Sequence, residues 1–176
     1  MRRTSFARMH CSLARGLDLI GDWWSPLIVR DLFLNVVRFD DLVEDLGISR
    51  NLLTRRLNAL VRSGIVERHA YQRRPVRYDY RLTEAGRDLV PAILALTAWG
   101  DRWARPKEGR PILFVHKTCG HQFRPQVSCS QCGEPIRAEA VQANAGPGGA
   151  AMPGTMLVAK RLRDRAVTAR SVPRRP

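Results

Sequence analysis

The chain has 176 residues, of which 30 are lysine or arginine and 16 are aspartate or glutamate, so its formal net charge is +14. This length suits one domain of ordinary size with an appendage, and an apolar fraction of 44% is enough for a hydrophobic core. The basic excess predicts a polyanionic partner, either nucleic acid or an anionic membrane. Because no apolar run is long enough to cross a bilayer, we expect a cytoplasmic protein with no membrane partner.

Two helices are predicted in the first 35 residues. The first covers residues 11–20, where apolar residues recur at helical spacing, and Gly21 ends it. The second covers residues 23–34 and carries its proline in the first turn, where the missing N–H breaks no hydrogen bond. Trp23 and Trp24 are expected to pack in the core, because buried aromatic side chains usually serve packing.

Residues 38–64 predict two short amphipathic helices separated by a tight turn. Apolar residues fall on one face of the first helix, and Gly47 ends it. Ser49 is a suitable N-cap for the second helix, since its hydroxyl accepts from backbone N–H groups, and Gly64 suits a left-handed C-cap. The pattern therefore predicts a helix-turn-helix.

The second of these helices has an unusual exposed face. Leucines share its inner side, while the outer side holds no carboxylate and offers amide, hydroxyl and guanidinium groups. Such groups bond to base edges and phosphates of double-stranded DNA, whereas a plain solvated face mixes glutamate with lysine. A soluble helix pair in an all-α domain is the alternative. The candidate DNA-binding residues of this region are Arg38, Ser49, Arg50, Asn51, Thr54, Arg55 and Asn58.

After Gly64 the hydrophobic period changes from helical to alternating. Residues 65–71 and 76–82 predict two strands of a hairpin, and the tip, residues 72–75, is short and basic. A basic hairpin directly after a DNA-reading helix is typical of the wing of a winged helix, although a solvated loop is the alternative. The predicted fold is mainly α with a small β-hairpin wing. Arg73, Arg74 and Arg77 are expected to bind phosphate.

A long helix over residues 84–104, capped by Thr83, follows the hairpin. Leu89, Ile93, Leu96 and Trp103 recur on one stripe, which is longer than one small core needs. We expect the surplus apolar face to contact a second copy. A two-fold homodimer also matches the symmetry of palindromic operator DNA.

Together these segments resemble the HxlR family of bacterial winged-helix regulators, which is related to MarR-type regulators. The resemblance covers residues 11–104 and implies a dimeric, cytoplasmic transcriptional regulator, not an enzyme, with dimer contacts from the first and last helices. Trp23 departs from the family, which usually has lysine or arginine there, so a DNA backbone contact from that position is in doubt. The matching segments are IGDWWSPLIVRDL from Ile20, RFDDL from Arg38, GISRNLLTRRLNAL from Gly47, RPVRYDYRLTEAGRDLVP from Arg74, and the Trp99-Gly100 pair.

The resemblance also implies a redox-sensing role for Cys11. Family members that sense oxidants or quinones often carry a cysteine near this position. The thiolate is the reactive form, and Arg8, His10 and Arg15 would favour it by proximity. The alternative is a small buried side chain with no redox role.

Residues 112–136 contain two similar short motifs, HKTCG from His116 and CSQCG from Cys129. Each has two metal-binding side chains separated by two other residues, with a glycine just after the second, which is typical of a zinc knuckle. The pattern predicts structural zinc in a small zinc-ribbon-like β appendage, with His121 as an alternative to His116; a metal-free β-hairpin with reduced cysteines is the rival interpretation. The predicted ligands are His116, Cys119, Cys129 and Cys132.

Three regions are therefore predicted: a DNA-binding and dimerisation domain over 1–105, the zinc-ribbon-like segment over 106–137, and a flexible linker with a basic tail over 138–176. Residues 160–175 could form a short helix or a free tail that adds salt-dependent DNA affinity. Two other functions stay open: a zinc-dependent enzyme or redox protein, and a regulator whose C-terminal region binds a protein. A full Cys₃His site disfavours the enzyme, since it leaves no coordination position for substrate.

Overall fold

The computed structural model describes residues 5–171, with side-chain surroundings for residues 5–164. The chain forms two compact units. The larger unit is Asp22–Ile136, and the smaller joins the N-terminal segment up to Gly21 to the C-terminal segment from Arg137. This division differs from the predicted one, in which residues 1–21 belong with the winged domain.

The described elements are mainly helical, with two small antiparallel hairpins. Helices α1 and α6 and one turn of 3₁₀ helix at Ala138–Ala140 belong to the smaller unit, and all other elements belong to the larger. In chain order the elements are α1 (Ser12–Ile20), α2 (Trp24–Phe33), α3 (Phe39–Leu46), α4 (Arg50–Arg62), β1 (Val66–Arg73), β2 (Val76–Leu82), α5 (Glu84–Trp103), β3 (Phe114–Val115), β4 (Gln122–Phe123) and α6 (Met156–Ser171).

Helices α3 and α4 form the predicted helix-turn-helix. Gly47 ends α3 with φ +60°, and Gly64, just past the end of α4, has φ +72°, a conformation that favours glycine. The Ser49 hydroxyl accepts from the N–H of Leu52 at 3.3 Å, which confirms the predicted N-cap. The core of the larger unit lies where these helices meet α2 and the first hairpin. Its fully buried apolar side chains are Ile28, Val29, Leu42, Leu53, Leu57, Leu60 and Val66.

Strands β1 and β2 pair antiparallel, with Val66 opposite Leu82. Strand β1 extends two residues further than predicted, to Arg73, whereas β2 has the predicted bounds, so the tip of the hairpin is only Arg74 and Pro75. A register shift at Tyr71 interrupts the pairing. Of the alternating apolar residues of β2, only Leu82 is buried, because the distal half of the hairpin extends beyond the helices.

Helix α5 spans nearly the predicted range and packs against α2. Its N-cap is Thr83, whose hydroxyl accepts from the N–H of Gly86 at 3.1 Å. The buried positions are Gly86 and Val90, whereas Leu96 on the predicted stripe is 57% exposed. Much of the apolar stripe therefore stays uncovered within one chain.

The prediction that both neighbouring tryptophans pack in the core is wrong for Trp23, which is 92% exposed; Trp24 is half-buried. The phase of α2 explains the difference. Ser25, Ile28 and Val29 define its buried side, and at 100° per residue position 23 falls on the opposite side.

The smaller unit contains α1 and α6. Asp18 of α1 accepts from the backbone N–H of Phe6 and from the hydroxyl of Ser5, both at 3.2 Å, and so holds the preceding segment against the helix. The N–H of His10 donates to the Pro153 carbonyl at 3.4 Å. Helix α6 includes most of the predicted basic tail, and residues 172–175 of that tail lie outside the described residues.

Candidate nucleic-acid interface

The predicted DNA-binding side chains lie on the outer face of α4, around the tip of the first hairpin and at the N-cap positions of α3 and α4. All ten candidates are exposed, while the leucines of the inner face of α4 are buried. The sequence pattern therefore places the two faces of α4 correctly. The exposed candidates are Arg38, Ser49, Arg50, Asn51, Thr54, Arg55, Asn58, Arg73, Arg74 and Arg77.

Four polar side chains on α4 face solvent in different states of hydrogen bonding. In the described part of the chain, Asn51, Arg55 and Asn58 form no side-chain hydrogen bond or ion pair, so their donors are available to a ligand. The Thr54 hydroxyl instead donates to the Arg50 carbonyl at 2.8 Å. Its proton is therefore used, and Thr54 is left to accept from a base amino group rather than donate to phosphate.

Two other candidate arginines are engaged with neighbouring residues. Arg50 forms an ion pair with Asp40 at 2.7 Å, and its guanidinium lies 5.0 Å from the centre of the Phe39 ring. Arg38 lies 4.0 Å from an Asp79 oxygen and over the Tyr71 ring. Exposed ion pairs contribute only about 0–1 kcal/mol, so these arginines can exchange a carboxylate for a phosphate at low cost.

The wing is joined to the helix-turn-helix by backbone pairing. Just before α3, the carbonyl of Val37 accepts from the N–H of Tyr80 at 2.9 Å, and Arg38 bridges to Asp79. At the hairpin tip, the Gln72 side-chain amide donates to the carbonyl of Arg74 at 3.0 Å. The wing therefore has a fixed attachment to the start of α3, and its arginine side chains extend into solvent.

Sequence reasoning missed the ion pair between Asp22 and Arg56, which joins the start of α2 to α4. Asp22 also caps α2, because its carboxylate accepts from the N–H of Trp24 at 3.0 Å. Arg56 lies between the buried and exposed stripes of α4, where the hydrophobic pattern carries no signal. This pair orients α4 on the core and is a positioning contact for the outer face.

A second missed group is the buried Asp31, which is 1% exposed. Desolvation by burial raises the pKa of Asp31, and the guanidinium of Arg30, 2.6 Å away, opposes this effect. Arg30 also contacts Asp45 of α3 at 3.1 Å. The cluster joins α2 to α3, and nothing places it at the outer face of α4.

Cys11, the redox-sensing candidate, is the N-cap residue of α1 and is half-buried. Its side chain makes no capping hydrogen bond. Of the nearby basic residues, Arg15 donates through its Nε to the carbonyl of Met9 at 3.1 Å, so that group is turned toward the backbone.

The four predicted zinc ligands form two pairs. The Cys119 sulfur lies 3.5 Å from Nδ1 of His116. The backbone amides of Cys132 and then Gln131 lower the pKa of the Cys129 thiol, and the Cys132 side chain adds to the effect. Among residues 5–164, no three His, Cys, Asp or Glu side chains lie close enough to share one ion, so the two pairs remain separate.

A helix-turn-helix followed by a basic β-hairpin defines the class of winged helix-turn-helix transcriptional regulators. The chain belongs to the HxlR-like helix-turn-helix family, whose model matches residues 19–108. No helix within the described residues has the length and apolar character that a bilayer crossing requires.

Known relatives carry the same assignment. The uncharacterized HTH-type transcriptional regulator Rv3095 of Mycobacterium tuberculosis is 46% identical over 137 residues, which are 78% of this chain and 87% of the relative. The uncharacterized HTH-type transcriptional regulator sll1512 of Synechocystis is 36% identical over 94 residues, covering 53% of this chain and 70% of the relative. The family and these relatives are regulators rather than enzymes.

Solved structures agree with the fold. A candidate transcription factor, PA1607, superposes with a TM-score of 0.70 at 34% identity and covers 81% of this chain and 100% of its own. The redox regulator HypR in its oxidized form superposes with a TM-score of 0.50 at 31% identity, covering 55% of this chain and 100% of its own.

Proposed function

We propose that the protein is a sequence-specific DNA-binding transcriptional regulator that acts as a homodimer on operator DNA. The observation that carries this proposal is the outer face of α4, where Asn51, Arg55 and Asn58 offer uncommitted donors beside an arginine-tipped wing. Amides and guanidinium groups are the side chains that read adenine and guanine edges in the major groove. The net charge of +14 supports a polyanionic partner.

Selection of bound fragments from random DNA by the purified full chain tests this function. We expect an enriched motif with two inverted half-sites about 10–10.5 base pairs apart, or a multiple of that spacing. Enrichment of a single unpaired half-site would contradict the dimer. Recovery of fragments with no shared sequence would contradict specific reading.

The homodimer is supported by apolar side chains that one chain leaves exposed. Leu96, Trp99 and Trp103 lie on one side of the C-terminal half of α5 and are 57%, 60% and 65% exposed. Three large apolar side chains at this helical spacing form a stripe typical of a helix that packs against another helix. In the smaller unit, Leu13 of α1 is 72% exposed and offers a second apolar contact.

Two arginine variants should separate base reading from phosphate binding. Arg55→Ala should cost about 1–3 kcal/mol on the selected operator and much less on scrambled DNA, because a base contact is lost. Arg74→Ala should weaken binding to both DNAs alike and lower the dependence of affinity on salt. Affinities measured by fluorescence anisotropy at several salt concentrations give both quantities.

Arg105→Ala is the matched control, since it removes one exposed charge beyond α5 and outside the proposed interface. It should change the affinity less than either variant. Equal losses for Arg55→Ala on both DNAs would exclude base reading by this residue.

A redox response through Cys11 is a second element of the proposal, supported by the likeness to the redox regulator HypR and by partial exposure of the thiol. Peroxide or a quinone should weaken operator binding by the wild-type chain, because modification at the N-cap of α1 would disturb helix packing. Cys11→Ser should bind normally and lose the response. An unchanged response in that variant would instead assign it to Cys119, Cys129 or Cys132.

A further inference from the structure

Residues 114–136 contain two short hairpins, the β3–β4 pair and a second one closed by a single antiparallel bridge between Ser128 and Pro135, and both repeat the same two backbone hydrogen bonds. In the first, His116 donates from its N–H to the His121 carbonyl at 3.0 Å, and its own carbonyl accepts from Gly120 at 2.8 Å. In the second, Cys129 donates to the Glu134 carbonyl at 2.8 Å, and its carbonyl accepts from Gly133 at 2.8 Å. The bonding register makes His116 equivalent to Cys129, and Cys119 equivalent to Cys132.

Both turns have the backbone of a metal-binding knuckle. Gly120 and Gly133 have φ values of +73° and +75°, which lets the chain reverse directly after the second ligand of each pair. The first and second ligands of each turn, three residues apart, thereby come onto the same side.

The segment that holds these turns has almost no hydrophobic core of its own. No residue from 111 to 136 is buried, and the short β3–β4 pairing is accompanied by a contact between the Phe114 and Phe123 rings at 6.3 Å. So small a segment does not bury enough apolar surface to hold two ordered hairpins. Segments of this size commonly obtain their stability from a metal ion.

We propose that one Zn²⁺ ion joins the two hairpins through His116, Cys119, Cys129 and Cys132, as a closed structural site. One imidazole and three thiolates satisfy the tetrahedral preference of zinc without water. The repeated bonding register favours His116 over His121, because His121 corresponds to Glu134 and follows the glycine of its turn. In this site the ion, and not side-chain burial, brings the two pairs together.

The similarity to Rv3095 extends beyond the winged domain into the segment that holds the two hairpins. Any stretch of 137 residues within a chain of 176 includes residues 40–137, so the aligned region extends through both hairpins. The family model itself ends at residue 108. The hairpin segment is therefore shared with this relative beyond the winged domain, and the zinc proposal stands independently of DNA binding.

Elemental analysis of the full chain, purified without chelator and under reducing conditions, tests the proposal. We expect about one zinc per chain. Cys129→Ser and Cys119→Ser should each lose most of it, whereas Cys11→Ser, which removes a thiol from the smaller unit, should retain it. His121→Ala should retain zinc and His116→Ala should lose it.

A second measurement separates loss of a ligand from loss of folding. His116→Cys should keep the metal, because a thiolate replaces the imidazole, and the visible spectrum of its Co²⁺ form should change to that of a tetrathiolate site. Hydrogen exchange should reveal that a chelator removes amide protection from residues 114–136 only. A chain that binds no zinc even when it is supplied, or hairpin amides that stay protected in the chelator, would overturn the proposal.

Discussion

Replacing Leu57 with alanine is expected to lower the free energy of unfolding of the larger unit by about 2–5 kcal/mol. Leu57 is 1% exposed and lies between Leu53 and Leu60 on the inner face of α4, where both neighbours are completely buried. The truncation removes buried methyl groups and leaves a cavity that the surrounding core fills only partly. Because a domain of this size is stable by about 5–15 kcal/mol, the loss is a large fraction of the total.

Asn58→Ala is the matched control for this variant. Asn58 is the next residue on the same helix, but it is exposed and makes no side-chain hydrogen bond in the described structure. The free energy of unfolding of the Asn58→Ala variant should differ from that of the wild type by less than about 0.5 kcal/mol, while the affinity of the variant for operator DNA should fall. Leu57→Ala should instead lose stability and keep its affinity for operator DNA at temperatures where the variant is folded. Denaturant unfolding and anisotropy on both variants measure the two effects, and equal loss of stability would refute the assignment of the two faces.

The helical part of the fold could be predicted because periodicity and capping agree there. The sequence predicts a helix end at Gly47 and Gly64 and an N-cap at Ser49. In the structure both glycines have a positive φ and Ser49 caps α4. The spacing of polar and apolar residues in α4 also predicts which of its side chains are buried and which are exposed. The exposed candidates on α4 follow from that pattern.

Features that depend on how one helix is rotated against its neighbours could not be predicted from the sequence. The exposure of Trp23 follows from the phase of α2, which is set by where Ser25 and Ile28 meet the core. The ion pair between Asp22 and Arg56 joins residues 34 positions apart, and hydrophobic periodicity contains no information about such a contact. For the same reason the grouping of residues 1–21 with the C-terminal segment was not predicted.

Gly86→Ala is expected to destabilise the larger unit, although glycine is normally unfavourable inside a helix. A Cβ atom at this position would lie 2.2 Å from the carbonyl oxygen of Ile65 and 3.2 Å from the Leu82 side chain. That carbonyl accepts from the N–H of Thr83 at 3.1 Å, so it is fixed where the hairpin meets α5. Overpacking costs typically 1–3 kcal/mol and exceeds the gain of about 0.5–1 kcal/mol in helix propensity.

Gly100→Ala in the same helix supplies a control with the opposite expected sign. A Cβ at Gly100 meets no atom within 4 Å, so alanine should stabilise the helix by about 0.5–1 kcal/mol. Thermal unfolding of both variants, at one protein concentration low enough to keep the chain monomeric, should move the transition down for Gly86→Ala and up for Gly100→Ala. A rise for both would mean that α5 can move away from the hairpin without cost, and the close approach of Gly86 to the Ile65 carbonyl would then not limit the side chain at position 86.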